Sequence, residues 1–460
     1  VFPHEHRIFL YTHYMFDIHF NGFNVIAVNL KMNKSSTVEL NHDEEAEIDI
    51  RYSVIWTNTR TPIAARSHAD SYSSSSHSMF FSSYRSSTIH WLSILNSLLL
   101  VSILVVIVSI IIFSSVRRDL SRYNNVSSID DDYDLLIDNG WKTVAGDVFR
   151  PPNHPMVLSA ILGAGSQLIA LACALLIIGT TNIVEVHNHG LLNSLCVVIY
   201  AFTCCVAGYV SSYNYQSFEG KRWVLNINMT SIIFVAPLAL AWAFTNTVAW
   251  IYGSTQALPW TTVVAVVAIW LLIGYPLTVV GGVIGRAHRL GRAGSTAPFR
   301  TRTVPRELPR QTPTRSTPVQ ALMGGLLPFC AISVELSYIF STIWGRDTYT
   351  LFPVLAIIFV ILLVVVACCS IALTYFQLNG EDYHWWWRSV LVGGSVSVYM
   401  FLYGILFLRR STSMSGVLQL SEFITHLSLL CFAAFLACGT IAHVAASRFV
   451  QYIYSSVKSD

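Results

Sequence analysis

The sequence predicts a polytopic α-helical membrane protein with nine transmembrane helices and a small β-rich N-terminal lumenal region. Three observations predict it. Of 460 residues, 53% are hydrophobic and only 12% are charged, with a mean hydropathy of +0.54, about half the charge of an ordinary soluble domain. Nine stretches are long and apolar enough to cross a bilayer, which takes about 20 helical residues. The Lys and Arg residues gather in alternate connectors, the asymmetry that orients a membrane protein.

Residues 1–70 read as β-rich. Asp17-Ile18-His19-Phe20 and Val25-Ile26-Ala27-Val28 read as strands, and Asn21-Gly22 between them is a hairpin turn signal. Glu47 to Trp56 alternates polar with apolar, as an antiparallel strand with one wet face does. So short a region needs more chain or a partner to close its core. Residues 71–88 are Ser-rich and read as a linker. The chain starts at Val1 without a leader pattern, consistent with a processed terminus.

The transmembrane region covers residues 89–446. Its spans are Ile89–Phe113, Met156–Thr181, Gly190–Ser212, Leu225–Ile251, Trp260–Gly285, Ala321–Ile343, Tyr349–Gln377, Ser389–Leu408 and Gln419–Ala446. Connectors 114–155, 213–224, 286–320 and 378–388, with the tail 447–460, hold 18 Lys and Arg residues; the connectors between spans on the opposite side hold three, Arg346, Arg409 and Arg410. The positive-inside rule puts the first set in the cytosol and residues 1–88 in the lumen or outside. Asn33-Lys34-Ser35 is then a lumenal N-glycosylation sequon, and Asn125-Val126-Ser127 a cytosolic one that stays unmodified.

Several chemistries are excluded. A net charge of +3 makes no case for nucleic acid. The nine cysteines all fall in apolar spans, without a CxxC pair, and read as small buried hydrophobes. Gly163-Ala164-Gly165 reads as close helix packing, not a nucleotide cradle. His4-Glu5-His6 is no zinc-protease motif, and His187-Asn188-His189 reads as a solvated loop. No nucleophile–base set, metal or cofactor is expected.

Polar groups inside the spans carry the functional interest. Glu335 lies within the sixth span, where an ionisable group costs at least a few kcal/mol and should face the bundle with a partner. Gln167, Glu422, His426 and His443 are further intramembrane groups that could complete a polar path, Glu422 and His426 sharing a helix face. The run Glu381, Asp382, Tyr383, His384, Trp385, Trp386, Trp387, Arg388 sits at a span boundary and reads as an interfacial anchor, with tryptophans at the headgroup level and Arg388 reaching lipid phosphates. The 286–320 connector, with eight Arg and five Pro, reads as an extended lipid-facing segment. Asp130 to Asp134 reads as a solvated acidic stretch.

Specific runs then point to a family. They include Ile89-His90-Trp91-Leu92-Ser93-Ile94-Leu95-Asn96-Ser97, Arg118-Asp119-Leu120, Arg122-Tyr123-Asn124, Gly140-Trp141-Lys142 and Gly146-Asp147-Val148-Phe149-Arg150-Pro151-Pro152. Val304-Pro305-Arg306, Met323 to Phe329, Tyr375-Phe376-Gln377-Leu378 and Glu381 to Ser389 continue the set. The chain resembles the nonaspanins, the transmembrane nine superfamily of Golgi and endosomal membrane proteins, over residues 1–60 and 89–460. The resemblance implies a larger lumenal domain than 88 residues. It also implies that the end, Lys458-Ser459-Asp460, is a Lys-x-Asp signal read by the COPI coat. It implies a non-enzymatic role in sorting, trafficking or surface localisation of membrane-protein clients, including those with glycine-rich helices. A secondary transporter or channel using Glu335 and an accessory subunit of a membrane assembly remain alternatives. No inverted repeat supports the transporter.

Overall fold

A computed structural model of the chain describes residues 8–22, 24–32, 37–40, 48–59, 87–125, 140–180, 189–254, 257–291, 301–309, 313–345, 351–411 and 416–456. The chain divides into two units, Val1–His90 and Trp91–Asp460.

The first unit holds two small sheets. Strands β1 (Ile8–Tyr11) and β4 (Thr37–Leu40) pair antiparallel. A second sheet has the order β3-β2-β5, with β2 at His13–Asn21, β3 at Asn24–Met32 and β5 at Arg51–Asn58. The hairpin read at Asn21-Gly22 joins β2 to β3, and Gly22 takes φ 61, a value that suits glycine in such turns. The antiparallel expectation for the third strand is corrected: β5 runs parallel to β2, pairing His13 with Arg51 and Phe20 with Asn58. Parallel pairing is reached because β3 carries the chain back to the end where β2 starts: Met32 lies opposite Tyr14, and Arg51 opposite His13. Cross-strand partners suit this register, since Thr57 donates to Asp17 (2.9 Å), His13 meets Ser53 (3.0 Å), and Phe16–Tyr52 and Phe20–Trp56 contact edge to face.

The second unit is helical, and nine helices among the described residues are long and apolar enough to cross a membrane. The first helix is Ser87–Asn125, the second Pro155–Thr180, the third His189–Ser217 and the fourth Trp223–Ile251. The fifth, Trp260–Gly291, contains a π-helical turn at Trp270–Gly274. The sixth is Thr317–Gly345, the seventh Leu351–Asn379 and the ninth Val417–Ser455. The eighth is two helices in series, Trp385–Gly394 and Val396–Ser411. The ninth helix is the hub and packs against the second, fourth, seventh and eighth.

Small residues let these helices approach closely, because between helices in lipid no hydrophobic drive exists and packing must substitute for it. A Cβ at Gly163 would press on Ala207, Ser211 and Thr230, and one at Gly165 would overlap Leu436 and Thr440, as the close-packing reading requires. The third and fifth helices meet through a longer seam. There a methyl at Gly208, Gly281 or Gly285 would overlap the backbone carbonyl of Thr278, Cys205 or Tyr209 respectively. All nine cysteines are free.

Two expectations about ends change. The ninth helix does not stop near Ala446 but continues to Ser455, with Val450, Ile453 and Tyr454 buried, so residues 447–455 are part of the bundle and not a free tail. The eighth helix starts at Trp385, inside the run read as an interfacial anchor. The described parts of the connectors rich in Lys and Arg meet at one end of the helical unit, termed the basic end below.

Candidate functional site

Glu335 is the exceptional side chain of the membrane-spanning unit. It is 2% exposed, and neither Oε1 nor Oε2 has a hydrogen-bond partner among the described residues. Its neighbours along the helix, Ile332, Leu336 and Ile339, belong to an apolar cluster. Ile358, Ile361 and Val365 of the seventh helix, Val396 and Met400 of the eighth, and Phe423 and Leu427 of the ninth complete that cluster. The first helix touches it through Val101 and Val105. A buried polar group without a partner costs about 1–3 kcal/mol, so this carboxyl is held against the stability of the fold.

The other intramembrane candidates lie in separate environments. The Gln167 side-chain nitrogen, buried, donates to Cys204 Sγ (3.2 Å). His426 is exposed, and its Nδ1 meets the backbone carbonyl of half-buried Glu422 (2.7 Å), not the carboxyl. His443 is buried at the basic end, with Nδ1 at 3.1 Å from Ser389 Oγ. Among the described residues, no group of three His, Cys, Asp or Glu side chains could hold a metal ion. Asn33, Lys458 and Asp460 lie outside the described residues.

The 381–388 run builds a knot at the basic end. The chain leaves the seventh helix, reverses with Glu381 at φ 61, and enters the eighth at Trp385. Asp382 accepts from the His384 N–H (3.0 Å) and from Arg388 Nη1 (2.7 Å), while Arg388 also donates to the Arg315 carbonyl. Trp385 is 1% exposed, donates from Nε1 to the Val148 carbonyl (3.0 Å) and stacks on Trp386. Trp387 donates to the Asn153 carbonyl (2.6 Å). Tyr383 is buried too, its hydroxyl donating to the Arg306 carbonyl (3.4 Å). The interfacial-anchor reading is therefore corrected for Trp385 and Arg388. Trp385 Nε1 and both terminal nitrogens of Arg388 bond to protein, so the two side chains turn inward instead of reaching headgroups.

Residues that the sequence reading passed over complete the knot. Arg306 pairs with Glu381 (2.8 Å), and its own N–H donates to buried Asp147, which also pairs with Arg150 (2.7 Å). Arg302 N–H donates to the Gly146 carbonyl (3.0 Å), and Arg150 Nη2 donates back to the Arg302 carbonyl (2.8 Å). The 301–309 part of the Arg-rich connector is thus tied down here, contrary to the lipid-facing expectation. Asp119 of the first helix accepts from Trp141 Nε1 (3.2 Å) and Tyr375 Oη (2.8 Å), and Tyr454 donates to the Trp141 carbonyl (2.6 Å). The signal that could have found these residues was in view: Asp119, Trp141, Asp147, Arg150 and Arg306 all lie in the runs that carry the resemblance, and those runs converge on this one place.

Comparison with known proteins agrees with this architecture. The family model described as Endomembrane protein 70 matches residues 2–417. A mouse (Mus musculus) protein, Transmembrane 9 superfamily member 1, is 43% identical over 466 residues, covering 100% of this chain and 75% of its own length. Transmembrane 9 superfamily member 4 of Arabidopsis thaliana is 37% identical over 459 residues, again covering 100% of this chain and 75% of its own. A Dictyostelium discoideum protein whose name carries the words phagocytic receptor 1b is 39% identical over 454 residues, 99% of this chain and 75% of its own. No solved structure matches. A nine-helix membrane unit, a convergent basic-end knot and these matches together place the chain in the Endomembrane protein 70 family, the transmembrane 9 superfamily.

Proposed function

We propose that this chain is a sorting factor of Golgi and endosomal membranes that escorts other membrane proteins to their destination. Its N-terminal unit is lumenal and its basic end cytosolic. One observation carries the reading: Glu335 is a buried carboxyl without a partner, in a cluster that the first helix only lightly covers. Among the described residues, the first span meets this cluster only through Val101 and Val105. A client helix that displaces the first span from this cluster can offer Glu335 a hydroxyl or backbone donor. Such an interhelical hydrogen bond is worth about 1 kcal/mol, roughly fivefold in affinity. Selection among clients therefore rests mainly on close packing, which favours glycine-rich helices. The knot of Glu381 to Arg388 holds the helices in register but does not touch the client. Lys458 and Asp460 serve as the COPI address, and Asn33 as a glycan site.

Surface display of a reporter with a glycine-rich membrane helix, measured by flow cytometry, tests the client step. Glu335→Gln, whose amide can satisfy itself differently, should lower display in cells lacking the endogenous protein. Unchanged display would remove Glu335 from the mechanism, and a proton or solute flux in proteoliposomes lost on the same substitution would favour the transporter instead. Deleting residues 458–460 should shift the protein out of the Golgi. Retention despite the deletion would discard the coat signal. Orientation is read from glycans: endoglycosidase should act on Asn33, and a glycan on Asn125 would reverse the topology.

A further inference from the structure

At the basic end, the first helix presents two unlike faces. Ile112, Val116, Asp119 and Leu120 turn toward the bundle, where Val116 is buried and Asp119 is held by Trp141 and Tyr375. On the other side, Ser109, Ile110, Phe113, Ser114, Arg117, Arg118 and Ser121 line a shallow, wide-open concavity of about 920 Å³, its described lining drawn from this helix alone. Their spacing of three and four places most of them on one stripe. The stripe is graded along the helix. Ile110 and Phe113 lie toward the middle of the span, Ser114 follows, and Arg117, Arg118 and Ser121 come last. Both arginines are exposed, and Asp119, beside them among the described residues, is engaged on the inward face.

We propose that this concavity binds an anionic phospholipid. The guanidinium groups of Arg117 and Arg118 hold the phosphate, Ser114 and Ser121 donate to its oxygens, and Ile110 and Phe113 lie along the acyl chains. A planar guanidinium offers several donors to phosphate, and each Lys or Arg just cytosolic of a membrane helix attracts acidic headgroups by about 1 kcal/mol. A protein partner fits less well, because the apolar rungs lie at hydrocarbon depth and the charges at headgroup depth. The assignment to the cytosolic leaflet, where acidic lipids are concentrated, rests on the orientation proposed above; binding itself does not.

The test uses the full chain purified in detergent with fluorophore-labelled phosphatidylserine, read by anisotropy. Binding should saturate and be reversed by unlabelled phosphatidylserine, but not by phosphatidylcholine or inorganic phosphate. Arg117→Gln with Arg118→Gln should weaken it about thirtyfold, the equivalent of about 1 kcal/mol for each basic contact. Arg117→Lys with Arg118→Lys should retain most of it, and Arg409→Gln with Arg410→Gln, at the opposite end, should match the unaltered chain. If the glutamine pair fails to fold, the lipid and phosphate competitions decide. Equal competition by phosphatidylcholine, equal competition by phosphate, or a loss that follows Arg409 and Arg410 instead would overturn the proposal. Because the assay contains no bilayer, its failure is separable from a reversed topology, which the glycans report.

Discussion

Arg388 and Asp382 form an ion pair at 2.7 Å with both side chains under 10% exposed. Taking one charge away leaves the other buried and unmatched, which costs about 3–5 kcal/mol, whereas replacing both with apolar groups often costs little. Arg388→Met alone should therefore lower the thermal unfolding midpoint in detergent sharply. Asp382→Leu combined with Arg388→Met should recover much of the loss, and strictly additive effects would show that the pair is not coupled. Glu335 makes the opposite prediction. Glu335→Leu removes a carboxyl with no partner and should raise stability by about 1–3 kcal/mol, even as client display falls. A lower unfolding midpoint would mean that the carboxyl has a stabilising partner after all. The presence of Glu335 in a span was plain from the sequence; that it lacks a partner was not, since the helices around it come from four separate stretches of chain.

The helices themselves were legible because a bilayer imposes a length and an apolar composition on each one. What the pattern missed was where helices outlast the hydrocarbon. The ninth runs on to Ser455 because Val450, Ile453 and Tyr454 pack against protein, and packing against protein has no hydropathy threshold. Strand direction was missed for a related reason. Alternation marks β5 as half-buried, but only its partners on β2 decide which way it runs. The glycine seam between the third and fifth helices carries the element-scale prediction. Gly281→Val would drive side-chain carbons into the Cys205 carbonyl and should cost about 1–3 kcal/mol as overpacking, read as a lowered unfolding midpoint. The same change at Gly291, where a Cβ meets nothing within 4 Å, should be nearly silent. Equal effects at the two positions would discount the seam.

For the molecule as a whole, the knot joins parts of the chain hundreds of residues apart: Asp119 and Trp141, Arg306, the 381–388 run and Tyr454. Sequence alone could not assemble it, because each contribution is a short polar or aromatic run with an ordinary local reading. A tryptophan at a span boundary reads as a membrane anchor until the Val148 carbonyl is found beneath its Nε1. Deleting residues 458–460 should leave the unfolding midpoint unchanged, whereas ending the chain at Ala446 should abolish a cooperative transition by removing Val450, Ile453 and Tyr454 from the core. A folded, monodisperse protein ending at Ala446 would refute the role given to that last turn and a half of packing.

The order of synthesis gives this arrangement a timetable. Tyr454 seats edge-on against Trp141, and its hydroxyl closes on the Trp141 carbonyl. Trp141 emerges from the ribosome early, while Tyr454 follows all eight preceding spans. Until Tyr454 has been made, that side of Trp141 lacks its cover. A chain without the ninth helix should therefore be cut by protease near residue 141 faster than the full chain, and equal rates would show that other contacts protect Trp141.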